Sequence, residues 1–343
     1  MAEATCGIHA QVMGTTDLQV AARVSSAVAS EGLVARALWE ERRLVRVWCM
    51  RGTLHLLAPS QFALYAAAFD PAAQYDATWH RYFEVTAGDM ATLYEAFGEA
   101  LDDGSPLTRR ELGAAVTARA GLRLGARLSS SWGELLKPAA RRGLFVNGPN
   151  RGSETTYVRT DRWLPGFSVA PAPDAARLEW LRRYLRGYGP ASAEDYARWL
   201  GVRQVGRIKR LLAELGAEVT EVMVNDRRLH ALTVDVAELS SGESALSVRL
   251  LPAFDTFVLG HANRDHLVEA AHRSRVYRTA GWVSPTVLAG GRVVGTWEHR
   301  VEGDRVEVRL TPFEDLGSGV RAGVEAEAER LAAYFERPLS FYT

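Results

Sequence analysis

The sequence predicts an α+β protein, on three observations. Amphipathic helical segments give way to a hairpin three times along the chain. From Leu246 onward the pattern switches to strands and tight turns. No run of about 18 apolar residues interrupts either part, so nothing is expected to span a membrane. Helices closed by a hairpin form the winged-helix (helix-turn-helix) plan. Here it stands in tandem and is followed by a small antiparallel sheet or barrel. The repeats share no visible identity, so the plan rests on pattern.

In the first unit, residues 1–106, segments 17–29 and 33–41 carry helical periodicity, with Leu18, Ala22, Val24 and Val28 recurring in the first. Residues 45–57 have strand character. Pro59 and Ser60 then cap a long helical extension that runs to about Leu101, where Asp102-Asp103-Gly104-Ser105-Pro106 breaks it. The second unit, 107–174, opens on Thr108 and Glu111 at capping-box spacing. Its helical signal continues through Trp132 to Arg142. A hairpin over 143–158 follows, turning at Asn147-Gly148-Pro149-Asn150, and the Pro-rich stretch 164–174 is a linker.

The third unit, 175–245, repeats the plan. Helices are predicted over 178–187, over 193–200 under a Ser192 cap, and over 205–215. Strands 219–224 and 229–234 pair across an Asn225-Asp226 turn. The last unit, 246–343, offers strands at 248–251, 287–288, 293–297 and 306–310, with Gly290-Gly291 and Gly303-Asp304 as turns. A final amphipathic helix covers 320–335.

Composition narrows the function classes. The 41 basic and 41 acidic residues cancel, which excludes a surface coated in positive potential but allows one basic face. The cations are almost all arginine, with Lys137 and Lys209 the only lysines. Arginine suits bidentate phosphate recognition. The bias extends over the whole chain, however, and a GC-rich coding sequence accounts for it. Cys6 and Cys49 are too few and too far apart for a disulfide framework or a zinc cluster. The first six residues hold no basic segment followed by an apolar one, so no secretory signal is expected. The expected compartment is a reducing cytoplasm, the nucleoid in a bacterium, and nothing in the sequence suggests more than a monomer.

The stretch 47–57 is the most informative. Arg51, Thr53 and His55 fall at alternate positions, and in one extended strand they share a face between apolar anchors. If Arg51-Gly52 forms a hairpin tip instead, Arg51 reaches outward as a wing residue and Gly52 supplies the turn. Either geometry suits nucleic acid.

Arg51-Gly52-Thr53-Leu54-His55, Leu251-Pro252-Ala253-Phe254-Asp255, Gly281-Trp282-Val283-Ser284-Pro285 and Gly295-Thr296-Trp297 occur in an order that covers essentially the whole chain. With this set the chain resembles the AlkZ/YcaQ family of winged-helix DNA glycosylases. The resemblance implies three tandem winged helices and a C-terminal β-barrel. It also implies excision of N7-alkylated guanine from double-stranded DNA, including bulky adducts and crosslinks made by natural-product genotoxins, in base-excision repair or self-resistance. No cofactor is expected.

The family's catalytic signature is Gln-x-Gln near the N-terminus, and the corresponding place here is His9-Ala10-Gln11. Gln11 matches the second glutamine and His9 replaces the first, as in His-bearing variants of the family. The departure leaves the substrate range open. Relatives usually carry a further helix before the signature, whereas eight residues precede it here; either the start is misassigned or the helix is missing.

On a helix, His9 and Gln11 would diverge by about 200°, but an extended or turn segment points them the same way. Gly7 and Gly14 flank them and favour a turn. Two neutral hydrogen-bonding groups on one side can hold a water and aim it at a sugar C1′. An N7-alkylated guanine is already cationic and leaves without a general acid. What remains is to bring up water and stabilise the oxocarbenium-like sugar. Gln11 is expected to position the water, and His9 to position it or to take its proton near an ordinary pKa of about 6.5. Taken alone, a His and a Gln near a chain terminus are ordinary exposed polar residues. Asp17 is a rival water-activating carboxylate or the N-cap of the helix after it. His55, with Thr53 and Arg51, lines the same pocket or is a packed strand residue. Trp282 and Trp297 are base-stacking platforms or, more simply, barrel core.

For DNA contact, His272-Arg273-Ser274-Arg275-Val276-Tyr277-Arg278 is the strongest local candidate. As a basic ribbon it puts Arg273 and Arg275 on one face and Arg278 on the other, and displaces counterions from a groove; the plainer reading is a solvated rim. Arg207, Lys209 and Arg210 form a recognition-helix-like surface that would touch only phosphate. A metal site is disfavoured, since His261, His266 and His272 lack helical ligand spacing. Besides a monofunctional glycosylase, the sequence allows a non-catalytic winged-helix binder, indifferent to His9 and Gln11.

Overall fold

The computed structural model describes residues 2–131, 133–241 and 247–342. At the N-terminus β1 (Ile8–His9) leads into α1 (Met13–Ala21) and α2 (Leu33–Ala35), the latter continued by a π-turn at Arg36–Glu40. β2 (Val45–Trp48) and β3 (Leu54–Leu57) follow, and the three strands form one antiparallel sheet in the order β1-β3-β2. α1 begins earlier than its periodicity predicts. Val12 is its N-cap residue, so Asp17 lies inside the helix and caps nothing. Between β2 and β3 a tight turn at Met50–Gly52 makes the hairpin tip, so Arg51, Thr53 and His55 do not share one strand face.

The long helical extension is three helices: α3 (Pro59–Ala68), α4 (Ala77–Phe83) and α5 (Ala87–Ala100). Side-chain caps divide them. Asp76 accepts from the backbone N–H groups of Thr78 and Trp79 at the start of α4, and Thr86 and Asp89 form a capping box at α5.

The second unit contains β4 (Leu107–Thr108), α6 (Arg109–Ala120), α7 (Leu122–Ser130) and α8 (Lys137–Arg141). The Thr108–Glu111 capping box forms. Trp132, placed within the helical signal by sequence, lies outside the described residues. β5 (Phe145–Arg151) and β6 (Glu154–Arg159) close the unit, and α9 (Thr160–Trp163) follows. Their turn is at Gly152-Ser153. The stretch Asn147-Gly148-Pro149-Asn150 stays in β5 as a register shift, which tolerates a proline without an N–H to give the ladder.

The third unit is α10 (Pro173–Tyr188), α11 (Ala193–Leu200), α12 (Val205–Leu215), β7 (Val219–Val224) and β8 (Arg227–Leu232), ending in α13 (Val236–Ser240). Its Asn225-Asp226 turn has φ of 48° and 61°, the left-handed pair that a two-residue hairpin loop needs.

The C-terminal region holds β9 (Val248–Leu251), α14 (Arg273–Val276), β10 (Thr286–Ala289), β11 (Arg292–Glu302), β12 (Arg305–Pro312), α15 (Ser318–Tyr334) and β13 (Leu339–Tyr342). Leu246 lies outside the described residues. The sheet order is β13-β12-β11-β10-β9, and β13 runs parallel to β12. Its two ends do not meet, so the sheet is open and mixed rather than the expected barrel. Val324 and Ala328 of α15 cover the apolar face beside Val248, Val287 and Trp297, which removes the need for closure.

One apolar core runs from Cys6 to Leu232 through all three helix–hairpin units, and a second lies under the C-terminal sheet. No helix among the described residues is long and apolar enough to cross a membrane.

Candidate active site

His9 sits opposite His55 in the β1–β3 pair, and Ala10 donates to the Leu54 carbonyl at 2.7 Å. The strand ends at His9, and Gln11 follows in a bend two residues on, so no single strand carries both side chains. His9 is buried and Gln11 is exposed. Gln11 folds back on β3, its Oε1 accepting from the Leu54 N–H at 3.2 Å. A second lone pair on that oxygen stays available to a water.

The His9 backbone is clamped from three directions. Its N–H donates to Thr256 Oγ1 at 3.0 Å; its carbonyl accepts from Gln19 Nε2 at 3.0 Å and Thr16 Oγ1 at 3.2 Å. Gln19 Oε1 in turn accepts from the N–H and hydroxyl of Thr256 at 3.2 Å each. Thr16, Gln19 and Arg23 follow one face of α1 and its C-terminal turn. Arg23 makes a two-point pair with the fully buried Asp255, at 2.7 and 2.6 Å, that locks the C-terminal loop onto α1.

The imidazole of His9 stacks on Phe254 at 5.5 Å between centroids and meets the edge of His55 at 5.4 Å. Burial, helped by the nearby Arg51 cation, pushes its pKa down to about 4. His55 is driven well below its ordinary value by burial and by Arg51 and His9. Both rings are neutral at pH 7. His55 Nδ1 lies 3.0 Å from the Thr53 carbonyl, which can only accept, so Nδ1 carries the proton and Nε2 is the free acceptor. His9 Nδ1 is buried with no partner among the described residues. This corrects the expectation of a proton acceptor near pKa 6.5. A histidine at about 4 is a poor base at neutral pH, but a good neutral acceptor for a water hydrogen bond.

The other sequence candidates divide. Thr53 closes the hairpin turn, its hydroxyl donating to the Met50 carbonyl at 3.1 Å. Arg51 does not reach outward as a wing. It has a left-handed backbone, φ 57°, and turns inward to donate to the Trp199 carbonyl at 2.9 Å. Gly201 permits this: a Cβ there would stand 2.7 Å from Arg51 Cα. Burial pushes the Arg51 pKa down to about 10, and the neighbouring cations Arg264 and Arg198 act in the same direction. Arg264 lies over the Tyr277 ring at 3.8 Å. Among the described residues none of these three arginines has a carboxylate partner. A cationic patch thus adjoins His9.

Asp17 is half-buried, and burial and the nearby Glu31 raise its pKa to about 6. Its electrostatic neighbours are Glu31 and Tyr334, and no hydrogen bond links it to His9 or Gln11 among the described residues. The basic ribbon is not a ribbon. It is a short 3-10 turn at Ala270–His272, then α14, then another at Thr279–Gly281. Arg273 pairs with Asp265, Arg275 lies over Phe313 at 4.5 Å, His272 stacks on Phe313 at 4.3 Å, and Arg278 is exposed. On α12, Arg207 pairs with Asp70, and Lys209 with Glu194 at 3.5 Å, so both cations are already partly neutralised. Trp297 is core, its indole N–H donating to the Leu251 carbonyl at 2.9 Å. Trp282 is not: it is 44% exposed, edge-on to Phe254 at 4.9 Å.

Sequence reasoning missed Thr16, Gln19, Arg23, Phe254, Asp255 and Thr256 as supports of His9. The only signal was the Leu251–Asp255 motif, which had carried resemblance without a role.

Comparison with known proteins gives the family of the chain. A family described as DNA glycosylase AlkZ-like matches residues 2–334. An interstrand DNA cross-link repair glycosylase from Streptomyces sahachiroi is 36% identical over 333 residues, spanning 95% of this chain and 88% of that protein. The solved structure of the Streptomyces sahachiroi DNA glycosylase AlkZ superposes with a TM-score of 0.88 at 33% identity, over 99% of this chain and 92% of the other. The chain is an enzyme of the DNA glycosylase class and belongs to the AlkZ-like DNA glycosylase family.

Proposed function

We propose that this enzyme hydrolyses the N-glycosidic bond of N7-alkylated guanine in duplex DNA, and that crosslinked guanine is among its substrates. The observation that carries the reading is the pair of neutral acceptors beside β3, buried His9 held by a backbone clamp and solvent-facing Gln11 held to the Leu54 N–H. Gln11 Oε1 and the neutral His9 ring orient a water at C1′. The water oxygen bonds to C1′ as the C1′–N9 bond breaks; the bond pair passes to N9 and neutralises the purinium, and the released proton goes to solvent. No strong base is required, because a cationic leaving group does most of the bond breaking. Arg198 and Arg264, which have no carboxylate partner among the described residues, meet the phosphates beside the lesion, with the partly buried Arg51 cation behind them. The three helix–hairpin units are winged helices that carry the duplex, one to each of 1–106, 107–174 and 175–245. The crosslink assignment is supported by the name of the Streptomyces sahachiroi relative.

The test is a duplex carrying one N7-methylguanine, incubated with enzyme and then cleaved at abasic sites by alkali. Gln11→Ala is expected to lose about 10²-fold in rate with its fold intact, and His9→Ala at least as much. Cleavage unchanged in both variants moves the chemistry elsewhere. Binding without cleavage on small and bulky adducts returns the chain to a non-catalytic DNA binder.

A further inference from the structure

Trp282 is the large aromatic the sequence assigned to the core and the structure leaves open. A lone exposed tryptophan is ordinary. This one is not isolated, since it touches Phe254, which stacks on His9, which meets His55. The four rings form a row from solvent to the buried end of the site. The row is held firmly at both loops. Phe254 has a left-handed backbone, φ 59°, and its N–H donates to the Val283 carbonyl at 3.3 Å. Trp282 follows the left-handed pair Ala280 and Gly281, φ 55° and 75°, and its carbonyl accepts from Arg278 N–H at 2.8 Å. Strained backbone of this kind persists where the surroundings fix it, and it fixes where the ring points.

Among the described residues, the site offers no free carboxylate, the obvious group for recognising a positively charged base. Asp255 is the carboxylate closest in sequence to Phe254, and both its oxygens are taken by Arg23. His9 and His55 are neutral and offer no anion. What remains is the electron-rich face of an aromatic ring, which attracts a cation through its quadrupole.

We propose that Trp282 is the wall that selects the charged lesion: its exposed indole face packs on the alkylated purinium ring and favours it over neutral purine. This rests on the N7-alkylguanine reading above. It adds a ligand class, a planar aromatic cation, to a residue with no other role. Phe254 supports the indole, the two rings meeting at 4.9 Å with their planes 76° apart.

The experiment measures duplex affinity for two matched lesions. One is a 2′-fluorinated N7-methylguanine, which is cationic and resists hydrolysis. The other is 7-methyl-7-deazaguanine, which has the same shape without the charge. The native enzyme is expected to prefer the cationic lesion by about three- to thirtyfold. Trp282→Leu, at a position open enough to fold, is expected to abolish the preference while binding undamaged duplex normally. Trp282→Phe is expected to retain part of it. An unchanged preference in Trp282→Leu, or no preference in an enzyme that excises N7-methylguanine, overturns the inference and leaves the function standing. Absence of excision and of lesion preference in the native protein overturns both.

Discussion

The hairpins β2–β3 and β7–β8 both close a group of helices, yet they have opposite fates. β7–β8 is two-stranded, its tip is a local Asn225-Asp226 turn, and residues such as Met223, 63% exposed, face solvent. β2–β3 gains β1 as a third strand, and its own strands are almost wholly buried. Its tip residue Arg51 points to α11 rather than outward. Against β1 lies the loop around Phe254 and Asp255, some 240 positions away in the chain. The difference teaches that the hairpin itself does not make the candidate site. A hairpin becomes one when remote chain covers it, strips away water and shifts the protonation of what lies beneath.

That comparison can be broken at its cover. Asp255→Asn leaves Arg23 without its buried counter-charge and frees the loop from α1. Stability should fall by about 3 kcal/mol, read by urea unfolding, with base excision reduced alongside. If stability holds, the loop is pinned by its backbone contacts alone and the ion pair is dispensable.

Acid tests the dehydration beneath the cover. Native His9 stays neutral down to about pH 4, while the unfolded chain titrates at about 6.5. Between these values the unfolded state binds more protons, so stability is full above about 6.5 and drains as pH falls toward 4. The slope approaches about 1.4 kcal/mol per pH unit for this one residue, and buried His55 adds in the same direction. Base excision should correspondingly keep its rate to well below pH 6 and lose it near 4. An acid limb at 6.5 instead would mean that His9 is solvated.

The exposed hairpin gives the smallest effect and the control. Met223→Ser on β7 should change stability by less than about 0.5 kcal/mol and leave excision untouched. A larger loss of duplex binding would make β7–β8 a DNA-contacting wing and narrow the contrast between the two hairpins.

Much of the local architecture was legible. The helix over Val205–Leu215, the capping box at Thr108, the helix cap at Ser192, the Asn225-Asp226 turn and the strand Val248–Leu251 were all read within a residue or two, because each is decided by neighbours a few positions apart. The errors arose where local patterns compete. The long helix divides at Asp76 and Thr86, whose side chains accept the backbone donors of the next helix. The basic ribbon folds as short helical turns because Arg273 finds Asp265 and Arg275 finds Phe313.

The sequence by itself determined the class of the chain and its family, and it singled out two candidate residues for holding a water. A spacing of two between flanking glycines made His9 and Gln11 a candidate pair on an extended or turn segment. Tertiary structure decided the rest. It set the direction of Arg51, the exposure of Trp282, the open edge of the C-terminal sheet, and the low pKa that keeps buried His9 neutral at pH 7. Each depends on desolvation and on contacts between segments hundreds of positions apart. Those are properties of what surrounds a residue in space, which composition and periodicity do not encode.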